Sequence, residues 1–156
     1  MQPLGGGGRF DRLFTTITVL ALTLSAIRDA CPGMSLYPRA IVEAICLSEG
    51  PIGPATQVAR QLGLRSRFKL ARLLKGEGLP PLHRLAEWAT VLSWVMTAER
   101  DGVSLCWIAF RCRRHPSACY RLVKEVTGMR WEVVLGRGSA WAQRRFLREI
   151  DRRRRS

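Results

Sequence analysis

The stretch VSLCWIAFRCRRHPSACYRLVKEVTGMRW, Val103 to Trp131, decides the fold. Ser104 suits a helix N-cap, and Val103 before it and Ile108 after it occupy the two positions of a hydrophobic staple. From that start Leu105, Ile108, Ala109 and Cys112 share one face at helical spacing, with Ala109 small enough to let a partner helix cross closely. Pro116 suits the first position of a second helix, where its fixed φ and missing N–H cost nothing. Cys119, Leu122, Val123 and Val126 then form its apolar stripe, which leaves Ser117, Arg121 and Lys124 opposite. Gly128 marks the stop. The stretch therefore reads as a short helix, a tight basic turn and a second helix with one polar, basic face.

Working upstream, Leu82 to Arg100 reads as a long core-facing helix. Leu85, Trp88, Ala89, Leu92, Val95 and Met96 recur at three and four, Val91 and Trp94 widen the stripe, and Asp101-Gly102 ends it. Before it lies a partial copy of the opening pattern. Gly53-Pro54 starts a short helix with Ala55, Val58, Ala59 and Leu62, Gly63 ends it, and LRSRFK, Leu64 to Lys69, makes a basic connection into a second helix. Ala71-Arg-Leu-Leu-Lys75 repeats as Tyr120-Arg-Leu-Val-Lys124, and Val58-Ala59 as Ile108-Ala109, so one supersecondary unit occurs twice. In both copies an Arg and a Lys three apart, Arg72 with Lys75 and Arg121 with Lys124, fall opposite the apolar stripe. An isolated pair of this kind is usually a solvated helix face; its recurrence at one motif position favours phosphate or base contact.

The ends are less informative. Residues 1 to 12 are Gly-rich and lack the context of a phosphate loop. LFTTITVLALTLSAI, residues 13 to 27, is short for a membrane span and is followed by Arg28-Asp29 where a signal cleavage site needs small residues, so a cytoplasmic chain is expected. Leu13, Ile17, Leu20, Leu24 and Ile27 form a helical seam, a candidate for homodimer contact, although the Thr-Ile-Thr-Val run also fits a strand. Residues 31 to 38 read as a linker, and Pro38 to Leu47 as a helix. After Trp131, Gly136 to Ser139 reads as a turn, Ser139 as the cap of a last helix, and Arg152 to Arg155 as a basic tail. These divisions give residues 1–37 as a Gly-rich start, apolar helix and linker, 38–135 as the paired units, and 136–156 as a C-terminal helix and tail.

With 26 Lys plus Arg against 12 Asp plus Glu, the 156-residue chain carries a formal charge of +14, which points to a polyanionic partner such as nucleic acid. The apolar share of 47% is enough for a folded core. Five cysteines without a C-x-x-C pair read as reduced thiols. Cys106, Cys112, His115 and Cys119 lie close in sequence, but two already have places on the apolar stripes, so neither a metal nor another cofactor is expected. His83 and His115 have no carboxylate or thiol at a catalytic spacing, which argues against an enzyme.

Two helix-turn-helix units on one long helix, the second running Ile108-Ala109-Phe110-Arg111, Pro116-Ser117 and Lys124 to Met129, and the first carrying Val58 to Leu64, resemble the DNA-binding domain of AraC/XylS-type bacterial transcription regulators. The likeness covers roughly residues 38 to 134. It implies an all-α, homeodomain-like domain of seven helices in which the second helix of each unit, about Ser66 to Lys75 and Pro116 to Val126, lies in the major groove. It departs from the family at Arg113 and Arg114, where Gly and Phe are usual; the second loop is one residue shorter and the first one residue longer. The family's usual sensor domain has no room before Pro38, so no small-molecule effector site is expected.

Double-stranded DNA is thus the expected partner, with Arg65, Arg67, Lys69, Arg72, Lys75, Arg113, Arg114, Ser117, Arg121 and Lys124 approaching it. Arg121 is the first choice for a base contact and Lys124 for phosphate. The long helix would hold the two units about one turn of B-DNA, roughly 34 Å, apart. Two other classes remain open: a nucleoid-associated or RNA-binding protein that uses the charge without reading sequence, and a helical adaptor that binds protein through the N-terminal seam or exposed Trp residues.

Overall fold

The computed structural model describes residues 25, 27–29, 31–47 and 54–155. The expected N-terminal seam lies mostly outside these residues. Among them the chain is all-helical and no strand occurs: residues 27–29 are helical, and from residue 36 onward come α1 Leu36–Leu47, α2 Ala55–Gln61, α3 Arg67–Gly76, α4 Leu82–Asp101, α5 Leu105–Arg111, α6 Pro116–Thr127, α7 Trp131–Arg137 and α8 Ser139–Arg155.

The long helix α4 is the axis. Its heptad-like pattern carries more apolar residues than one seam needs, and Leu82, Leu85, Trp88, Val91, Leu92, Trp94, Val95 and Ala98 are all buried. A stripe that wide has to be covered from several sides. α1, α5, α6, α7 and α8 pack on it. The short helices α2 and α5 each pair with the longer helix that follows, α2 with α3 and α5 with α6; α3 also contacts α1. Ser35, just before α1, donates from its N–H to Glu77 Oε1 at 3.1 Å, which fastens α1 to the end of α3.

Local signals set most of the boundaries. Ser104 Oγ accepts the Trp107 N–H at 3.1 Å, the expected cap of α5. Gly102 at φ 65° and Gly128 at φ 77° close α4 and α6 in the left-handed region, where a Cβ is penalised. Three details differ from the sequence expectation. α3 begins at Arg67, capped by Ser66, whose Oγ accepts the Lys69 N–H at 3.3 Å; much of the basic connection is therefore its first turn. Residues expected to form a loose approach and turn after Trp131 instead wind into α7, because Trp131 and Val134 are buried together. The Arg-rich end continues α8 through Arg155. Its apolar face, Ala142, Phe146 and Ile150, is buried, which holds the helix in place.

The joint between α4, α6 and α8 is polar as well as apolar. Phe146 of α8 packs on Trp88 with ring centroids 5.3 Å apart. Beside them, Arg84 donates to both oxygens of Glu149, at 3.0 and 3.2 Å, and to Val126 O at 3.1 Å, while Trp88 Nε1 donates to Glu149 Oε2 at 2.6 Å. One guanidinium thereby ties α8 to the last carbonyls of α6, which have no partner within their own helix. Thr127, the one buried polar residue among those described, completes that end: its hydroxyl donates to Val123 O at 2.7 Å and accepts the Met129 N–H at 3.1 Å.

Burial opposes the charge on Glu149, but the hydrogen bonds from Arg84 and Trp88 and the charges of Arg84 and Arg153 outweigh it and hold the carboxyl below its ordinary range. A carboxylate depressed in the folded state stabilises fully above its unfolded value, about 4.3, and loses that contribution as pH falls through the folded value. Glu149→Gln is therefore expected to lower stability at pH 7, with the gap from the parent chain narrowing below about pH 4. Urea denaturation across that range checks it; a gap independent of pH would assign the effect to packing.

Candidate nucleic-acid interface

The two helix pairs close their turns with the same backbone. Leu62 and Cys112, the residues after α2 and α5, have equal dihedrals, φ −87° and ψ 3°. The next residue is left-handed in each, Gly63 at φ 70° and Arg113 at φ 54°. Then the Leu64 N–H reaches Ala59 O at 2.8 Å, and the Arg114 N–H reaches Ala109 O at 2.9 Å. This is the hydrogen-bond pattern of a Schellman closure. Both alanines are buried, so the short helix meets its partner closely in each pair.

The turns then differ by one residue. The cap of the following helix is Ser66 in the first pair and His115 in the second. Register recovers inside the longer helices, where Leu70 and Leu74 are buried in α3 as Cys119 and Val123 are in α6. The outer positions recover with it: Arg72 and Lys75 on α3, Arg121 and Lys124 on α6, all exposed. Residues three apart are neighbours on a helix surface, so each pair presents one guanidinium and one ammonium side by side.

All ten residues singled out from the sequence are exposed. Arg65, Arg67, Lys69, Arg72 and Lys75 gather on the first pair, and Arg113, Arg114, Ser117, Arg121 and Lys124 on the second. Their surroundings are unequal. No acid lies within α3. On α6, Glu125 sits 3.9 Å from Arg121 with both side chains more than half exposed, a pairing too solvated to hold the arginine firmly. Arg114 lies over the buried Trp94 ring of α4, 5.6 Å from its centroid, which orients one cation of the second turn. Ser117 Oγ is 2.7 Å from His115 Nδ1, and the same nitrogen accepts the Ser117 N–H at 3.3 Å, so His115 caps α6 and engages the serine.

Two features depart from what periodicity suggests. Cys112 is exposed, because it stands at the cap where the chain has already left the apolar stripe of α5. Phe68, at the second position of α3, is 64% exposed with the Arg67 guanidinium 5.0 Å from its ring centroid. Charge and apolar spacing both pass over it; an aromatic between two cations and off the buried stripe is the signal that marks it. Exposed Trp107 and Phe110 extend the aromatic content to α5.

Cys119 is an ordinary packing thiol. Burial pushes its pKa up, and the nearby Arg114 charge only partly opposes that. Among the described residues no three His, Cys, Asp or Glu side chains are grouped to hold a metal ion, and no helix is long and apolar enough to cross a membrane.

Family models, curated proteins and solved structures gave no match to this chain. The functional reading therefore stands on the residues and geometry just described.

Arg113 is the sharpest feature of that geometry. It is the single non-glycine residue with positive φ among those described, at the position that Gly63 fills in the first pair. A side chain in this region costs about 1–2 kcal/mol, and glycine returns about 0.4–1 kcal/mol of it through the freedom of the unfolded chain. Arg113→Gly is expected to raise the unfolding free energy by about 0.5–1 kcal/mol, whereas Gly63→Ala lowers it by a similar amount. Chemical denaturation of the two variants checks both signs; a loss of stability in Arg113→Gly would show that the arginine side chain contributes to folding.

Proposed function

We propose that this protein is a sequence-specific double-stranded DNA-binding transcription regulator of the AraC/XylS type, with α3 and α6 as its two recognition helices. The observation that carries the reading is the recurrence of Arg72-x-x-Lys75 as Arg121-x-x-Lys124 on the exposed faces of helices whose preceding turns open with the same backbone closure. A cationic pair on one helix face is common; the same pair at the same place in two copies, over the same buried positions, calls for a repeated ligand. Duplex DNA repeats in that way, and a helix fits its major groove.

Further support comes from dimensions and chemistry. α4 has 20 residues, a length of about 30 Å at 1.5 Å per residue, close to the roughly 34 Å of one DNA turn. Arg is the side chain best suited to a guanine edge, through two parallel hydrogen bonds, so Arg72 and Arg121 are assigned to bases and Lys75 and Lys124 to phosphates. Arg65, Arg67, Lys69, Arg113 and Arg114 belong to the turns and first helical turns, where backbone contacts fix register. Ser117 is assigned the same supporting role because its hydroxyl already engages His115. The seven helices from α1 to α7 equal the number that the resemblance implies.

Selection of bound duplex from a random pool by the purified chain is expected to enrich one motif with two blocks about one helical turn apart. Enrichment of no motif would overturn the proposal in favour of binding by charge alone. Arg121→Ala is then expected to reduce discrimination between the selected and a random duplex by about 1–3 kcal/mol. Equal loss on both duplexes in a gel-shift titration would reassign Arg121 to phosphate.

A further inference from the structure

The chain's other concentration of positive charge is ordered and lies outside both helix pairs. α8 carries seven arginines against Glu149 and Asp151, and its described residues divide cleanly by face. Ala142, Phe146 and Ile150 are buried toward α4 and α7. Arg144, Arg148 and Arg155 follow at spacings of four and seven, which puts them on one line along the opposite side, and all three are exposed. Asp151 is the acid on that side and is tied to Arg155 at 3.1 Å. Glu149 is turned inward to Arg84 and Trp88. No ion pair among the described residues involves Arg144 or Arg148.

Such a face is costly without an anion. Like charges at i and i+4 repel by a few tenths of a kcal/mol per pair, and this helix sets Arg144 and Arg148 about 6 Å apart, with Arg155 about 10 Å further along the same line. A lipid surface is a poor occupant, since a membrane-binding helix needs its apolar face free to enter the interface, and here that face is spent on α4. A phosphate backbone needs only the charges and forked donors that the arginines supply. The position also matters. Arg84 ties α8 to the carbonyl end of α6, and Arg145 lies beside Gly128 just past that end, so α8 runs by the end of α6 remote from Pro116 and Ser117.

We propose that the outer face of α8, built on Arg144, Arg148 and Arg155, is a second duplex-binding surface that takes the phosphates of DNA outside the segment read by α3 and α6. It rests on the reading of the chain as a double-stranded DNA-binding protein. The phosphates come either from the flank of the same duplex or from a second one, and both present the same chemistry.

The test uses the full chain with Arg144, Arg148 and Arg155 all changed to Gln, beside a triple Lys version and an Arg121→Ala/Lys124→Ala variant. Binding to a long duplex is followed by fluorescence anisotropy as a function of salt. Each phosphate contact contributes about 0.9 to the slope of log K against log salt, so the Gln variant is expected to lose about 2–3 in slope and the Lys version to keep it. An unaltered thermal midpoint would show that the exposed substitutions leave the fold intact. A lengthened footprint lost in the Gln variant identifies the flank as the source; capture of a free labelled duplex by a bead-tethered one, lost in the same variant, identifies a second duplex. An unchanged slope in the Gln variant overturns the proposal. If the α3 and α6 reading is at fault instead, the Arg121→Ala/Lys124→Ala variant binds as tightly as the parent chain while the Gln variant still loses slope.

Discussion

Trp88 cannot be buried from one side. It stands on a helix whose apolar residues occupy most of its circumference, and α4 is soluble only because α1, α5, α6, α7 and α8 surround it. The remaining architecture follows from that requirement. The second helix pair packs directly on α4, the first reaches it through α1, and α8 covers the flank where Trp88 meets Phe146. A helix held on so many sides fixes the elements packed on it relative to one another.

The polar joint beside Trp88 adds direction to that packing. Hydrophobic burial does not distinguish one rotation of α8 from another nearly as well as hydrogen bonds do. Arg84 meets a carboxylate on α8 and two backbone carbonyls of α6, so the three helices can satisfy one guanidinium only in one mutual arrangement. Glu149 is thereby committed to structure, and the outer face of α8 is left overwhelmingly cationic.

Much of this was legible in the chain. Ser104, Pro116, Gly102 and Gly128 mark helix ends through local chemistry, and the apolar spacing of α4 and α6 identifies their buried faces without reference to anything distant. The repeat located both turns because the small residues Ala59 and Ala109 and the cationic pairs recur together. Other features depend on tertiary partners. Arg84, Trp88 and Glu149 are up to 65 positions apart, and nothing local announces their contact. Trp131 and Val134 form a helix because they are buried, and a short run ending in Gly-Arg-Gly reads more naturally as a turn. Cys112 fits the apolar spacing of α5, but a helix cap interrupts that spacing. Phe68 lies in a run read only for its charge, and neither that charge nor the apolar spacing of α3 singles it out. The likeness to the AraC/XylS domain rests on the quoted motifs, and the assignment of bases and phosphates remains a proposal.

The unequal turns have a bearing on how such a chain can diverge. Both begin from one backbone closure and end on the same buried register, although one has a residue more. Loop length and the chemistry of the exposed helix face are thus separable traits. The extra residue between the closure and the Ser66 cap leaves the buried register of the helix unchanged, and Arg72, Lys75, Arg121 and Lys124 stand off the buried stripe. Each half of the molecule is in this sense an independent locus of variation on a shared chassis, so that the outer face of one half can change while that of the other is kept.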